Sequence, residues 1–164
     1  KRWPAEHFAA VAIEFLLRNP LQQVVMFGGP KDTAFCAEIL SLLPVDLLSR
    51  AESLAGKTSL AQAMALMSAA SQLLTNDSGL MHVAASFSVP QVAMYGSSSP
   101  LHTPPLNQQA AVLWLKTNTS YQPVLDCAPC FKRECPLGHT RCLNDITVDQ
   151  VQQALVQCFT KPLT

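Results

Sequence analysis

Thr75-Asn76-Asp77-Ser78-Gly79-Leu80-Met81-His82 gathers two hydroxyls, a carboxylate, a glycine and an imidazole into eight residues. An apolar run, Ser71 to Leu74, ends in this polar turn, and a second, Leu80 to Phe87, begins after it at helical spacing. That pattern predicts a strand, a tight turn and a helix N-terminus. The first turn of a helix holds backbone N–H groups without partners, and aligned peptide dipoles add positive potential there. Such a turn suits phosphate. Gly79 lets backbone approach a ligand, while Asp77 or Ser78 can cap the helix when nothing is bound. An ordinary capped helix after a buried strand is the plainer reading.

The pattern returns downstream. Gln91-Val92-Ala93-Met94-Tyr95, entered through Pro90, reads as a short strand that ends in Gly96-Ser97-Ser98-Ser99-Pro100. Earlier, Gln23 to Phe27 ends in Gly28-Gly29-Pro30-Lys31-Asp32. In open parallel sheets, ligands sit outside the carboxyl ends of the strands. Three strands closing on glycine with hydroxyl or charged residues predict such a floor.

A different chemistry is offered by sulfur. Of six cysteines, four fall in Cys127-x2-Cys130-x4-Cys135-x6-Cys142, with His139, Lys132 and Arg133 among them. A Cys-x2-Cys turn can aim two thiolates at one ion, so a zinc site is one reading and a set of reduced thiols or handling disulfides the other. Four protein ligands would leave no open coordination position, so that zinc would be structural. Cys36 and Cys158, on helix faces, read as small buried apolar residues.

These residues need a scaffold. The chain has 164 residues, 49% hydrophobic and only 13% charged, with zero net charge. This suits one α/β domain with a substantial core and argues against a nucleic-acid partner. No apolar run reaches membrane-spanning length, and no secretory signal is evident. The chain begins at Lys1-Arg2-Trp3-Pro4 without Met, which is expected of a fragment or excised domain. Helices are predicted over Pro4–Arg18, with Phe8, Val11, Ala12, Phe15 and Leu16 on one face, and after Asp32, carrying Phe35, Ile39 and Leu42 inward. Ser59-x-x-Gln62 is a capping box for a helix over 59–70 that buries Leu60, Ala63, Met64 and Met67. Thr147-x-x-Gln150 opens a last helix with Val148, Val151, Leu155 and Phe159 on its stripe. Strands are expected at 22–27, 71–75, 91–95 and 111–115, with a weaker segment over 48–55. Alternating strands and helices imply βαβ units and a parallel sheet.

Asp77-Ser78-Gly79-Leu80-Met81-His82-Val83-Ala84-Ala85, Val92 to Pro100 and Thr103-Pro104-Pro105-Leu106 together resemble the heptosyltransferases of glycosyltransferase family 9, of the second type. The Lys1-Arg2-Trp3-Pro4 start, with Glu6-His7-Phe8, agrees with the family as well, and the Cys127 to His139 segment with some of its members. The resemblance implies the C-terminal, Rossmann-like half of a GT-B glycosyltransferase. Residues 1–164 would be a nucleotide-sugar (donor) domain with a Cys-rich loop at 127–142, the N-terminal acceptor domain and its general base being absent. The reaction implied moves heptose from ADP-L-glycero-D-manno-heptose to the lipopolysaccharide inner core with inversion, without a metal or cofactor in catalysis. The implied partners are that donor and, through the missing domain, the lipopolysaccharide acceptor. The implied place is cytoplasmic, with peripheral contact at the inner face of the inner membrane at most.

Residue by residue, the resemblance implies that Lys1 stabilises the departing diphosphate. It implies that Asp77, Ser78, Gly79, Leu80 and His82 meet the phosphates or sugar, and that Gly28, Gly29 and Asp32 meet the nucleoside. Ser97 and Ser98 would line the sugar pocket, Thr103 would lie at its edge, and Gly96 would belong to the same substrate-binding turn. Each has a plainer reading: a terminal lysine, a packed helix histidine, a helix-capping aspartate, turn glycines. Two other functions stay open: a nucleotide-sugar epimerase of the same architecture, and a non-catalytic, zinc-stapled α/β interaction module. The chain alone is expected to be catalytically inactive.

Overall fold

The computed structural model describes residues 2–160. Strand and helix alternate as the hydrophobic periods require, and the chain divides into two compact units, one of residues 4–65 and one of residues 1–3 with 66–164.

In the first unit, α1 (Ala5–Arg18) and α2 (Thr33–Ser41) accompany β1 (Val24–Met26) and β2 (Ala51–Ser53), which pair in parallel, Val24 beside Ala51. Pro4 sits at the N-cap of α1, where its missing N–H costs nothing. Ala5, Ala9, Leu16, Ile39, Leu43 and Leu47 form the core, with Phe8 and Phe15 packed against it. Arg50 Nη1 donates to the carbonyls of Leu16 and Asn19 at 3.0 and 3.1 Å, satisfying the end of α1. The predicted strand at 22–27 shortens to three residues. The segment 48–55 resolves into a 3₁₀ turn, Val45–Arg50, followed by β2.

In the second unit, β3 (Leu73–Asn76), β4 (Gln91–Tyr95) and β5 (Ala110–Trp114) form a parallel sheet in that order. Every residue of β4 is buried, as a central parallel strand demands. Its side chains alternate between two faces. Val92 meets Ala154 and Cys158 of α6 (Val148–Thr160), with Leu74, Ala111 and Leu113 around them. Ala93 and Tyr95 meet Met81 of α4 (Gly79–Ser86) and Trp114. The strands thus fall into two hydrogen-bonded sheets of two and three strands. Periodicity can show that strands exist, but not which of them pair.

Both capping boxes form. Ser59 N–H donates to Gln62 Oε1 (2.9 Å) and Gln62 N–H to Ser59 Oγ (3.3 Å) at the start of α3 (Leu60–Ser68). Thr147 and Gln150 make the same exchange at 2.9 and 3.2 Å. Three residues expected inward are exposed instead: Leu42, Leu60 and Phe159. Each lies at or beside a helix end, where the apolar stripe has run past its core. Cys36 and Cys158 are buried as expected. A four-residue helix, α5 (Arg141–Asn144), carries no periodic signal and lies outside every predicted element.

Candidate functional site

The β3–α4 turn lies at the carboxyl edge of the three-stranded sheet. Asp77 N–H donates to Met94 O at 3.1 Å, extending the β3–β4 ladder to the turn itself. Ser78 then takes extended backbone angles and occupies the N-cap position of α4, but its side chain makes no capping bond. Its Oγ faces Thr75 Oγ1 at 3.2 Å instead. A Cβ built on Gly79 would meet no atom within 4 Å, so nothing in the fold itself demands glycine there. Ser78, Gly79 and His82 are exposed, and Asp77 and Leu80 half-buried. The packed-histidine reading of His82 therefore fails: the imidazole stands on the open side of the first turn.

Tyr95 ties this turn to the next. Its ring is fully buried. Its hydroxyl donates to the Thr103 carbonyl and lies 3.3 Å from Met81 Sδ. Burial first, then the nearby Asp77 charge, pushes its pKa up to about 12, with a smaller opposing effect from the Thr103 side chain. Between these residues, Ser99 organises the loop: its carbonyl accepts from the N–H of His102 (3.1 Å) and Thr103 (3.3 Å), and its Oγ from Leu101 N–H (3.2 Å). Thr103 is exposed and its Oγ1 also reaches Ser99 O, at 3.5 Å.

Gly96, assigned to substrate binding from sequence, has a packing reason. A Cβ there would lie 2.6 Å from Leu143 Cγ and 3.0 Å from Cys142 Sγ. Ser97 is buried with an Oγ that has no hydrogen-bond partner, and its carbonyl accepts from Phe131 N–H at 2.6 Å. It faces the cysteine loop. Ser98 is half-buried.

Gly28, Gly29 and Asp32 belong to the other unit and form a turn of their own. Asp32 Oδ2 accepts from Gly29 N–H at 2.8 Å and makes no side-chain cap for α2. A Cβ on Gly28 would fall 2.6 Å from Asp32 Cβ, and Gly28 O accepts from Gly56 N–H at 2.9 Å. The expected helix cap is thus a cap on the preceding 3₁₀ turn, Pro30–Asp32. Lys1 lies outside the described residues.

One anchor has no counterpart among the residues singled out from sequence. Trp3 is fully buried; its N–H donates to Asn76 Oδ1 at 3.0 Å and its Nε1–H to Ile146 O at 2.8 Å. The start of the chain is thereby bonded to the last residue of β3. The Lys-Arg-Trp-Pro sequence is its only signal, since both partners are distant in the chain.

Cys127, Cys130, Cys135 and Cys142 are free thiols lining one cavity of about 30 Å³, together with Ser97 and His139. Backbone N–H groups, Thr140 foremost and then Leu137, His139 and Gly138, hold the Cys135 thiol below its ordinary range against the effect of burial. Burial pushes the Cys142 thiol up, and the three neighbouring cysteines push the same way. Among the described residues, no group of three or more His, Cys, Asp or Glu side chains is arranged to hold a metal ion as it stands. No helix among them is long and apolar enough to cross a membrane.

Parallel strands ending in a glycine turn and an uncapped helix N-terminus define an α/β protein suited to binding a phosphorylated ligand. The sequence model of glycosyltransferase family 9 (heptosyltransferase) matches residues 1–141, and the chain belongs to that family. It is 42% identical over 155 residues to lipopolysaccharide heptosyltransferase 2 of Salmonella typhimurium, covering 94% of this chain and 42% of that protein. The protein of the same name from Escherichia coli K12 is 41% identical with the same coverage. Among solved structures, E. coli ADP-heptose LPS heptosyltransferase II superposes with a TM-score of 0.79 at 37% identity, over 97% of this chain and 42% of that one. A family 9 glycosyltransferase from Veillonella parvula gives 0.77 at 32% identity, again over 97% and 42%. The chain thus spans about two-fifths of the length of these relatives.

Proposed function

We propose that this chain is the donor-binding half of an inverting heptosyltransferase that takes heptose from ADP-L-glycero-D-manno-heptose and delivers it to the lipopolysaccharide inner core. Family membership favours transfer over epimerisation and over a non-catalytic interaction module. The observation that carries the reading is the β3–α4 turn: Gly79 open to solvent, Ser78 at the N-cap without a capping bond, and His82 exposed beside them.

Departure of a nucleoside diphosphate builds negative charge on the β-phosphate. The first N–H groups of α4 and its dipole stabilise that charge where it develops. The N–H groups of Gly79 and Leu80 approach the phosphates, and His82 reaches the phosphate or sugar oxygens from one turn further along. Lys1 adds a positive charge on the diphosphate; the bond from Trp3 N–H to Asn76 supports that role, because it holds the neighbouring chain at the same strand end. Ser98 and Thr103 contact the sugar. The acceptor site and the general base come from residues outside these 164, and no metal takes part in the transfer.

Calorimetric titration with ADP and with UDP tests the reading. ADP is expected to bind in preference to UDP, and binding is expected to fall at least about tenfold in Gly79→Val, since a branched side chain blocks close approach of phosphate to the backbone. A Cβ at position 79 touches nothing in the fold, so this variant should remain folded. ADP affinity unchanged in Gly79→Val would remove the turn from the site.

A further inference from the structure

The 23 residues from Asn118 to Thr140 contain no helix or strand. Only Leu125 and Ala128 among them are buried hydrophobics. A loop this long with so little core of its own needs another source of order. Its ends are fixed. Arg141 Nε donates to Asp145 Oδ2 at 3.0 Å and Arg141 Nη2 to the Tyr121 hydroxyl at 2.8 Å, while Phe131 N–H holds Ser97 O in the middle. Three of the four thiols that line one small cavity lie between these anchors, and the fourth, Cys142, follows Arg141 in α5.

We propose that Cys127, Cys130, Cys135 and Cys142 bind one soft divalent cation, zinc by ligand chemistry, and that this ion staples the 118–140 loop against the β4 turn. Two observations converge. The four thiols face one cavity of about 30 Å³, room for an ion and little else. Cys142 sits against Gly96, at the end of β4, so the ion would tie the loop to the sheet. Among the described residues the four thiols are not arranged to hold an ion as they stand. Loading pulls them together, because metal binding and local folding are coupled. Each thiol gives up its proton as its metal–sulfur bond forms, so four protonated thiols and one cation yield a tetrathiolate complex and four released protons. With every position filled by sulfur, the ion takes no substrate.

The reduced, chelator-treated chain is titrated with cobalt(II), then with zinc. The expected result is a tetrahedral cobalt–thiolate absorption that saturates at about one ion per chain and is displaced by zinc. Cys130→Ser and Cys142→Ser should each weaken cobalt binding at least about tenfold. Alkylation mapped by mass spectrometry, on the unaltered chain, covers the case in which a variant fails to fold. Zinc should slow modification of these four cysteines at least about tenfold relative to the chelated chain. Absence of a thiolate band at stoichiometric cobalt, or equal alkylation with and without zinc, would overturn the proposal and leave a cluster of reduced thiols. ADP titration of the chelated chain reads the donor site separately, so failure of one proposal does not mimic failure of the other.

Discussion

Gly96 and Gly79 look alike in the sequence, each closing a strand before small polar residues. Their surroundings differ. At Gly96 the absent Cβ clears Leu143 and Cys142; at Gly79 it clears nothing. Gly96→Ala should therefore destabilise the protein by about 1–3 kcal/mol, the usual range for forcing an extra carbon into packed side chains. Gly79→Ala should stay within about 1 kcal/mol of the parent. Urea unfolding of the two variants checks this, and equal midpoints would refute the distinction. That position 79 opens a helix was legible from the apolar period that follows it. The packing role of position 96 was not, because spacing along a chain does not show which distant side chain fills the space a missing Cβ leaves. Tyr95 gives a second test. Its pKa is raised to about 12 from an ordinary 10, so the folded state holds the phenol proton more tightly than the unfolded state does. The stability this contributes is complete below the unfolded value and is lost as pH rises from about 10 through 12. In Tyr95→Phe this alkaline loss should shrink, while stability at neutral pH falls by about 1 kcal/mol as the Thr103 carbonyl loses its donor. Denaturant unfolding across that pH range, with phenolate absorbance, measures both.

Local signals at the element scale survived folding best. A capping box is an exchange between residues three apart, so Ser59/Gln62 and Thr147/Gln150 could be read directly and both close. Helix faces were legible in their middles and misread at their ends, where Leu60 and Phe159 extend past the core. The Trp3 anchor and α5 depend on contacts across much of the chain and left no periodic trace. Thr147→Ala should cost about 1 kcal/mol through the lost N-cap of α6. Adding Gln150→Ala should then cost less than it does alone, because the two side chains serve one reciprocal pair of bonds. Strict additivity in a double-mutant cycle followed by thermal unfolding would argue that the box makes no coupled contribution.

For the whole molecule, alternation of strand and helix sufficed to assign an α/β class with parallel strands. It could not divide five strands into sheets of two and three, since parallel partners are chosen by long crossovers and face burial rather than by neighbours in sequence. Composition makes a claim at this scale as well. Eleven basic and eleven acidic side chains cancel, only 13% of residues are charged, and the isoelectric point is near 7. Exposed Leu21, Val45, Leu101 and Leu106 add apolar surface to that neutral coat. Without net repulsion, such a chain should self-associate most readily near neutrality. Acidifying below the isoelectric point gives the molecule a positive net charge. Raising the pH above it makes the net charge negative. Light scattering under reducing conditions should therefore show the strongest attraction near pH 7 and weaker attraction on either side. A flat profile would mean that a particular apolar patch, rather than the balance of charge, governs how these molecules meet.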